Sequence, residues 1–118
     1  MGELPFITVV IPARNEESFV SGTVSQVLEQ DYPEKRLEII IADGASTDRT
    51  REIVQSISTH NPNLKLLDNP GRLPSSGRNV GFKNGRGDIF IVIDGHCYIP
   101  DKCLLKNVVK CFEKSGAY

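Results

Sequence analysis

The sequence predicts an α/β fold of three layers, in which helices cover both faces of a mainly parallel β-sheet. Four short apolar runs alternate with segments of helical periodicity along the 118 residues, and such a repeat requires parallel strands joined by right-handed crossovers. The composition, 39% hydrophobic and 25% charged, is that of an ordinary globular protein. The length suits a single domain, since domains commonly have roughly 100–200 residues.

The first strand and helix are predicted near the N-terminus. Residues 6–11 form a β-branched run that ends at Pro12, as expected for a buried strand. Asn15 is suited to cap the helix that follows, and residues 31–33 end that helix. The side chains predicted to face inward from it are Phe19, Val20, Val24, Val27 and Leu28.

The second and third strands are predicted at residues 37–42 and 64–67. The first of these runs contains Glu38 but has apolar residues on both faces, which is typical of a buried strand. Between them, Ser46 or Thr47 can cap a helix. The inward side chains of that helix are predicted to be Ile53, Val54 and Ile57.

The last part of the chain contains a loop, a helix, a strand and a final helix. Residues 68–74 are rich in Gly, Pro and Arg and are predicted to be a loop, followed by a weak helix at residues 75–83. A strongly apolar fourth strand is predicted at residues 88–94. Pro100 fits the first position of the last helix. The inward residues of that helix would be Leu104, Leu105, Val108, Val109 and Phe112.

Charge and hydropathy exclude two classes of partner. With 14 Lys and Arg against 15 Asp and Glu, the chain lacks the basic surplus of a nucleic-acid-binding protein. It has no membrane segment, which would need about 18 consecutive apolar residues. The start of the chain carries no cationic segment before an apolar one, so we expect a cytoplasmic protein. The three cysteines have no zinc-site spacing and are expected to be reduced thiols.

Polar residues follow three of the four predicted strands, at residues 12–16, 43–48 and 94–96. In open parallel sheets, ligands bind outside the carboxyl ends of the strands. Carboxylates gathered at that edge repel one another unless a cation or the donors of a ligand balance them. The pattern therefore predicts a ligand site at this edge.

Each of these residues also has a purely structural explanation. Asp43 and Asp94 can close turns, as Asp commonly does after a strand. Asn15 can be only a helix cap, and His96 can be a polar surface residue. Arg78, with Asn79, can be an exposed residue of a helix.

The first strand is not followed by a glycine-rich phosphate loop. Residues 12–17 contain no glycine and two acids, and the G-x-G at residues 85–87 precedes a strand. A dinucleotide-binding turn needs G-x-G-x-x-G directly after the strand, and a P-loop needs G-x-x-x-x-G-K-[ST]. The sequence therefore predicts that a divalent cation holds any phosphates.

Four segments, in order, resemble the motifs of family 2 glycosyltransferases, which have the Rossmann-like GT-A fold of nucleotide-diphospho-sugar transferases. Residues 8–17 resemble the opening strand, and residues 41–50 resemble the motif D-[DG]-x-S-x-D-x-T. Residues 77–88 are similar to the segment before the D-x-D strand, and residues 94–96 stand at the D-x-D position. The resemblance implies that residues 1–118 are the nucleotide-sugar-binding half of a GT-A domain.

The resemblance implies an enzyme that transfers a sugar from a nucleotide-diphosphate-sugar, with UDP-sugar favoured, to an acceptor hydroxyl with inversion. Polysaccharide or cell-envelope glycan synthesis is the implied process. Asp43 would accept the N–H of a uracil-like base, and Arg78 would neutralise the diphosphate or pack beneath the base. The implied nucleotide-binding residues are Pro12, Ala13, Arg14, Asn15, Glu16, Asp43, Gly44, Arg78, Asp94 and Gly95.

The resemblance implies a bound Mn²⁺ or Mg²⁺, and the implied metal ligands are Asp94 and His96. His96 departs from the family pattern, in which the third D-x-D residue is usually acidic. Imidazole is a softer ligand than carboxylate and suits Mn²⁺ better than Mg²⁺. We therefore expect Asp94 to be the first ligand and His96 the second.

The length also departs from the family pattern. Family members have a second half that carries the acceptor site and the general base, and we find no carboxylate or His in this sequence placed to be that base. The expectation is a truncated GT-A domain. The alternative is a catalytically incomplete module that binds nucleotide-sugar and metal. A missing half predicts an exposed sheet edge through which the chain forms a homo-oligomer, and a longer parent can be membrane-associated.

Overall fold

The computed structural model of the protein describes residues 4–116. Strands and helices alternate as predicted, with an additional 3-10 turn at Glu34–Arg36. The strands are β1 Ile7–Ala13, β2 Leu37–Asp43, β3 Leu64–Asp68 and β4 Ile89–Val92. The helices are α1 Val20–Leu28, α2 Thr50–Ser58, α3 Pro74–Asn84 and α4 Leu104–Ser115. Residues 1–3, part of the segment used to predict a cytoplasmic protein, and residues 117–118 lie outside the described residues.

Within residues 4–116 the strands form one parallel sheet in the order β3–β2–β1–β4. β1 lies inside the sheet, with Ile7 paired to Leu37 of β2 and to Ile89 of β4. Because every strand runs in the same direction, their carboxyl ends meet at a single edge. The predicted parallel sheet is confirmed.

Helices cover both faces of the sheet, which confirms the three predicted layers. On one face, Val24 of α1, Val54 of α2 and Leu105 of α4 are buried in a cluster with side chains of β1 and β2. On the other face α3 packs directly on β1. Gly81 of α3 is so close to Val10 that an added Cβ would lie 2.4 Å from both methyl groups of the valine.

β1 extends past Pro12, where the sequence predicts its end. The proline costs the sheet no hydrogen bond, because β4 ends at Val92, which pairs with Val10. Pro12 therefore lies beyond the end of β4, and its missing N–H faces a position without a partner strand. On the opposite side, Pro12 stays paired with Ala42 of β2.

Two helices begin later than predicted. α1 begins at Val20, and Phe19, predicted to face inward, is 59% exposed. α4 begins at Leu104, well after Pro100, because the preceding segment is tied to α1 instead of being helical. There Gln26 of α1 accepts the N–H of Ile99 at 2.5 Å, and Gln30, just after α1, donates its side-chain N–H to the carbonyl of Asp101 at 2.7 Å. Among the helices that the structure describes, none is long and apolar enough to cross a membrane.

A buried carboxylate, Glu38, stabilises the amino edge of the sheet. It is 1% exposed, and its Oε2 accepts hydrogen bonds from the Thr8 hydroxyl at 2.6 Å and the Arg86 backbone N–H at 2.5 Å. Its Oε1 lies 3.3 Å from the Lys65 ammonium. Burial by itself would raise the pKa of Glu38, but these hydrogen bonds outweigh burial and lower it.

We expect Glu38→Gln to reduce the free energy of unfolding by about 2 kcal/mol at neutral pH. An amide whose oxygen keeps the Thr8 and Arg86 donors turns its own N–H groups toward the Lys65 ammonium, and it lacks the charge that these donors stabilise. A lowered pKa in the folded state stabilises the protein above the ordinary Glu pKa of about 4.3, and this contribution is lost as pH falls through the folded-state pKa. Urea unfolding at neutral and acidic pH measures both effects. Glu29→Gln, at an exposed position, is the control, and an equal loss in both variants would contradict the prediction.

Candidate functional site

A cleft of about 180 Å³ opens at the carboxyl edge of the sheet, between the ends of β1 and β4 and the start of α3. The predicted site residues that line it are Pro12, Ala13, Arg14, Glu16, Asp94, Gly95 and His96. The predicted residues that do not line it are Asn15, Asp43, Gly44 and Arg78. Arg78 is exposed on α3. The fold therefore brings the residues after the first and fourth strands together.

Asn15 joins the loop after β1 to the loop after β2. Its backbone has a left-handed conformation with φ 52°, and its N–H donates to the Ser46 hydroxyl at 2.9 Å. Its side-chain oxygen accepts the N–H of Thr47 at 2.8 Å. The predicted helix-cap role of Asn15 is wrong, since α1 begins only at Val20. Asn15 instead fixes the loop that carries Arg14 and Glu16 into the cleft wall.

The carboxylate of Asp43 is enclosed by hydrogen bonds from its own chain. The Ser46 hydroxyl donates to Oδ1 at 2.5 Å, and Arg51 donates to Oδ2 at 3.0 Å. Asp43, together with Asp68, raises the pKa of Arg51. Ser46 thus closes the turn at Asp43 and does not cap α2, whose first N–H, of Thr50, bonds the side chain of Asp48. A nucleotide base that hydrogen-bonds to the Asp43 carboxylate would have to displace Ser46 or Arg51 from it.

His96 and Glu16 form an ion pair across the mouth of the cleft. His96 Nδ1 lies 2.6 Å from Glu16 Oε2. This hydrogen bond, with the charge of Glu16, raises the pKa of His96. Gly95 permits the approach, because a Cβ at this residue would lie 3.0 Å from Glu16 Cγ and Oε2. Asp94 is exposed beside the pair.

The model of the protein family described as Glycosyl transferase family 2 matches residues 8–118. The chain belongs to glycosyl transferase family 2. It is 36% identical, over 92% of its length, to the dolichyl N-acetyl-alpha-D-glucosaminyl phosphate 3-beta-D-2,3-diacetamido-2,3-dideoxy-beta-D-glucuronosyltransferase of Methanococcus voltae. The predicted family is confirmed.

Solved structures of glycosyltransferases match the fold of this family 2 chain. The mannosyltransferase PcManGT from Pyrobaculum calidifontis, in complex with GDP-Man and Mn²⁺, has a TM-score of 0.87 and 29% identity over 93% of this chain. TarS of S. aureus in complex with UDP-GlcNAc has a TM-score of 0.77 and 27% identity over 92% of this chain. The fold is thus the predicted GT-A fold. The chain spans about a third of the length of these relatives.

The cleft is also lined by residues that the sequence analysis does not single out. They are Asn69, Arg72, Leu73 and Pro74. All follow β3, in a segment whose Gly, Pro and Arg content predicts only a loop. Asn69 stands immediately after β3, so the rule that ligands bind at the carboxyl ends of strands was sufficient to find it.

Asp94 and His96 suit a divalent cation in their chemistry, although they supply only part of a coordination shell. Between residues 4 and 116, no group of three or more His, Cys, Asp or Glu side chains is arranged to hold a metal ion. Carboxylate oxygens suit Mn²⁺ and Mg²⁺, and imidazole nitrogens bind divalent transition metals in general. The remaining ligands would have to come from phosphate oxygens and water, as is usual when a metal binds with a nucleotide.

We expect Glu16→Gln to lower the pKa of His96, because the variant removes the charge and the strongest acceptor beside the ring. In the wild type the raised pKa keeps His96 protonated to higher pH than an ordinary histidine. The neutral ring, which is the form that can bind a metal, becomes the main form only above that pKa. An NMR titration of the imidazole resonances measures the change, with His60 as the internal reference. A His96 titration that is the same in both proteins contradicts the ion pair.

Proposed function

We propose that this chain is the donor-binding part of a glycosyltransferase that transfers a sugar from a UDP-sugar to an acceptor hydroxyl with inversion. The cleft carries this proposal, because it combines the guanidinium groups of Arg14 and Arg72 with the cation-binding chemistry of Asp94 and His96. A diphosphate needs both kinds of charge compensation. The product would belong to a polysaccharide or cell-envelope glycan.

The comparisons support a nucleotide-sugar donor, but they do not indicate which nucleotide base it carries. PcManGT is described in complex with GDP-Man and Mn²⁺, and TarS in complex with UDP-GlcNAc. TarS is named a poly(ribitol-phosphate) beta-N-acetylglucosaminyltransferase, which favours a glycan polymer as the product class. We favour a uridine nucleotide because Asp43, the predicted partner of a uracil N–H, lies next to the cleft through its backbone bond to Asn69.

In the proposed mechanism the residues of the chain hold the diphosphate and orient it. Arg14 and Arg72, both exposed at the cleft, would bind phosphate oxygens through charge-assisted hydrogen bonds. Asp94 and His96 would hold Mn²⁺ or Mg²⁺, and the ion would supply positive charge to stabilise the nucleoside diphosphate as it departs. Glu16 would keep the ring of His96 in position through the 2.6 Å bond.

The general base is the part of the reaction for which the cleft offers no group. Its two carboxylates are Glu16 and Asp94, and they are assigned to His96 and to the cation. An acceptor hydroxyl needs a base within hydrogen-bond reach. The alternative function is therefore a module that binds nucleotide-sugar and metal but does not turn over alone.

Calorimetric titration of UDP with and without Mn²⁺ tests the binding function, with GDP and ADP as the comparison for the base. We expect UDP to bind more tightly in Mn²⁺ than without it, and more tightly than ADP. If none of the three nucleotides binds, the proposal is contradicted. Release of UDP from UDP-sugars then distinguishes a complete transferase from the binding module.

We further propose that the chain acts in the cytoplasm and associates with itself through β4. Cys97, Cys103 and Cys111 are all free thiols, which is typical of a reducing compartment.

β4 is an edge strand of the described sheet and exposes 38% of Val92. Such an edge can pair with a second copy. Light scattering over a range of concentrations should detect the dimer, and a monomer at every concentration contradicts it.

A further inference from the structure

The turn that carries the proposed cation ligands, residues 94–97, lies at the edge of the sheet. Asp94 and His96 follow β4, which is an edge strand of the described sheet. Ile93 still donates its N–H to the carbonyl of Val10 at 2.9 Å, and Cys97 then closes the turn onto the carbonyl of Asp94 at 3.2 Å. Ligands of a metal have to be held in one geometry by surrounding contacts. Those contacts have to come from outside the sheet.

Two side chains of α1, Thr23 and Gln26, supply contacts of this kind. Thr23 is 1% exposed, and its hydroxyl donates to the carbonyl of Gly95 at 3.0 Å. Gly95 stands between the two proposed ligands in the sequence. Gln26 Nε2 donates to the carbonyl of Cys97 at 3.0 Å. The backbone is therefore fastened to α1 on both sides of His96.

The hydroxyl of Thr23 bonds to the turn more closely than to its own helix. A threonine inside a helix commonly donates to the carbonyl four residues earlier, which here is that of Phe19 at 3.2 Å. The carbonyl of Gly95 is nearer, at 3.0 Å, and that of Cys97 lies at 3.4 Å. A hydroxyl has a single proton to donate, and two of these three acceptors belong to the turn.

We propose that Thr23 and Gln26 are positioning residues for the cation, which hold the turn in the conformation in which Asp94 and His96 bind Mn²⁺. This inference rests on the proposed function. His96 is then fixed twice, since Glu16 holds its ring at 2.6 Å and α1 holds the backbone beside it. Thr23 and Gln26 act through the ligands and do not touch the ion. Replacing residues that orient metal ligands commonly lowers metal affinity by about 10–100-fold.

Thr23→Val tests the inference, because valine keeps the branched shape of the side chain and removes the hydroxyl. Calorimetric titrations with UDP, with and without Mn²⁺, measure the gain in affinity that the ion provides. We expect this gain to fall about tenfold, while the affinity without Mn²⁺ stays that of the wild type. Thr23→Ser keeps the hydroxyl and should keep most of the gain. Gln26→Met, at a half-buried position, should also reduce the gain, and it carries the test if Thr23→Val does not fold.

Thr8→Val is the matched control, because it also removes the hydroxyl of a buried threonine. Thr8 donates to Glu38 at 2.6 Å, at the amino edge of the sheet. This variant should lose stability and keep the full effect of Mn²⁺ on UDP binding. A full effect of Mn²⁺ in Thr23→Val, or equal losses in Thr8→Val and Thr23→Val, would show that the inference is wrong. If Mn²⁺ does not strengthen UDP binding even in the wild type, the proposed cation site itself fails.

Discussion

Asp94→Ala is expected to remove the dependence of UDP binding on Mn²⁺. In the proposed site Asp94 supplies the carboxylate for the cation, and His96 is paired with Glu16 at 2.6 Å. Without Asp94 the cation keeps only one protein ligand. We expect the affinity for UDP in Mn²⁺ to fall by about a hundredfold, since even residues behind the direct ligands change metal affinity by about 10–100-fold. Calorimetric titrations of both proteins with UDP, with and without Mn²⁺, measure the change.

Glu113→Ala is the control for this prediction. Glu113 is an exposed carboxylate of α4, and it does not line the cleft. This variant should keep both the affinity and the Mn²⁺ dependence of the wild type. An unchanged Mn²⁺ dependence in Asp94→Ala would mean that the cation binds elsewhere.

Gly81→Ala is expected to reduce the free energy of unfolding by about 3 kcal/mol. A Cβ at this position would lie 2.4 Å from both methyl groups of Val10 and 2.9 Å from its Cβ. Val10 is fully buried in β1, so α3 has to move away from the sheet. Overpacking of this kind costs about 1–3 kcal/mol, or more where the backbone is rigid. Urea unfolding measures the loss.

Gly22→Ala is the matched control, because it makes the same substitution in another helix. Gly22 of α1 has nothing within 4 Å of an added Cβ. Alanine should therefore raise the free energy of unfolding by about 0.5–1 kcal/mol through its better helix propensity. We therefore expect Gly81→Ala to lower the free energy of unfolding and Gly22→Ala to raise it. Stabilisation by both contradicts the close packing of α3 on β1.

The layered fold is readable from the sequence because apolar runs and helical periodicity report burial directly. The strand at Leu37–Asp43 is buried at every position, as the apolar residues on both of its faces predict, whereas the burial of Glu38 within it depends on hydrogen bonds from distant residues. Helix starts are less well specified, since they depend on contacts with distant residues. Asn15 has the side chain of a helix cap, but the partners of that side chain lie in the loop after β2. Pro100 lies in a segment that Gln26 of α1 and Gln30, just after α1, hold in a non-helical conformation.

The site is predictable to the extent that acidic motifs mark it. Asp94, Gly95 and His96 were found from their place after a strand, and they line the cleft. Asn69 and Arg72 were not found, because their loop carries no motif and its position beside β1 depends on the sheet order. The partner of Asp43, Arg51, is likewise brought to it by the turn into α2. The roles of the predicted residues remain predictions.

The most direct test of the central claim is to map the position of Mn²⁺ with backbone amide NMR. A bound Mn²⁺ ion broadens the resonances of nearby amides. With UDP present, we predict that substoichiometric Mn²⁺ broadens the amides of Gly95 and His96 first and leaves that of Asn63, at the amino edge of the sheet, unchanged. Broadening centred on Asp43 and Asp68, or on Glu38 at the amino edge, would contradict a cation-assisted diphosphate site in this cleft.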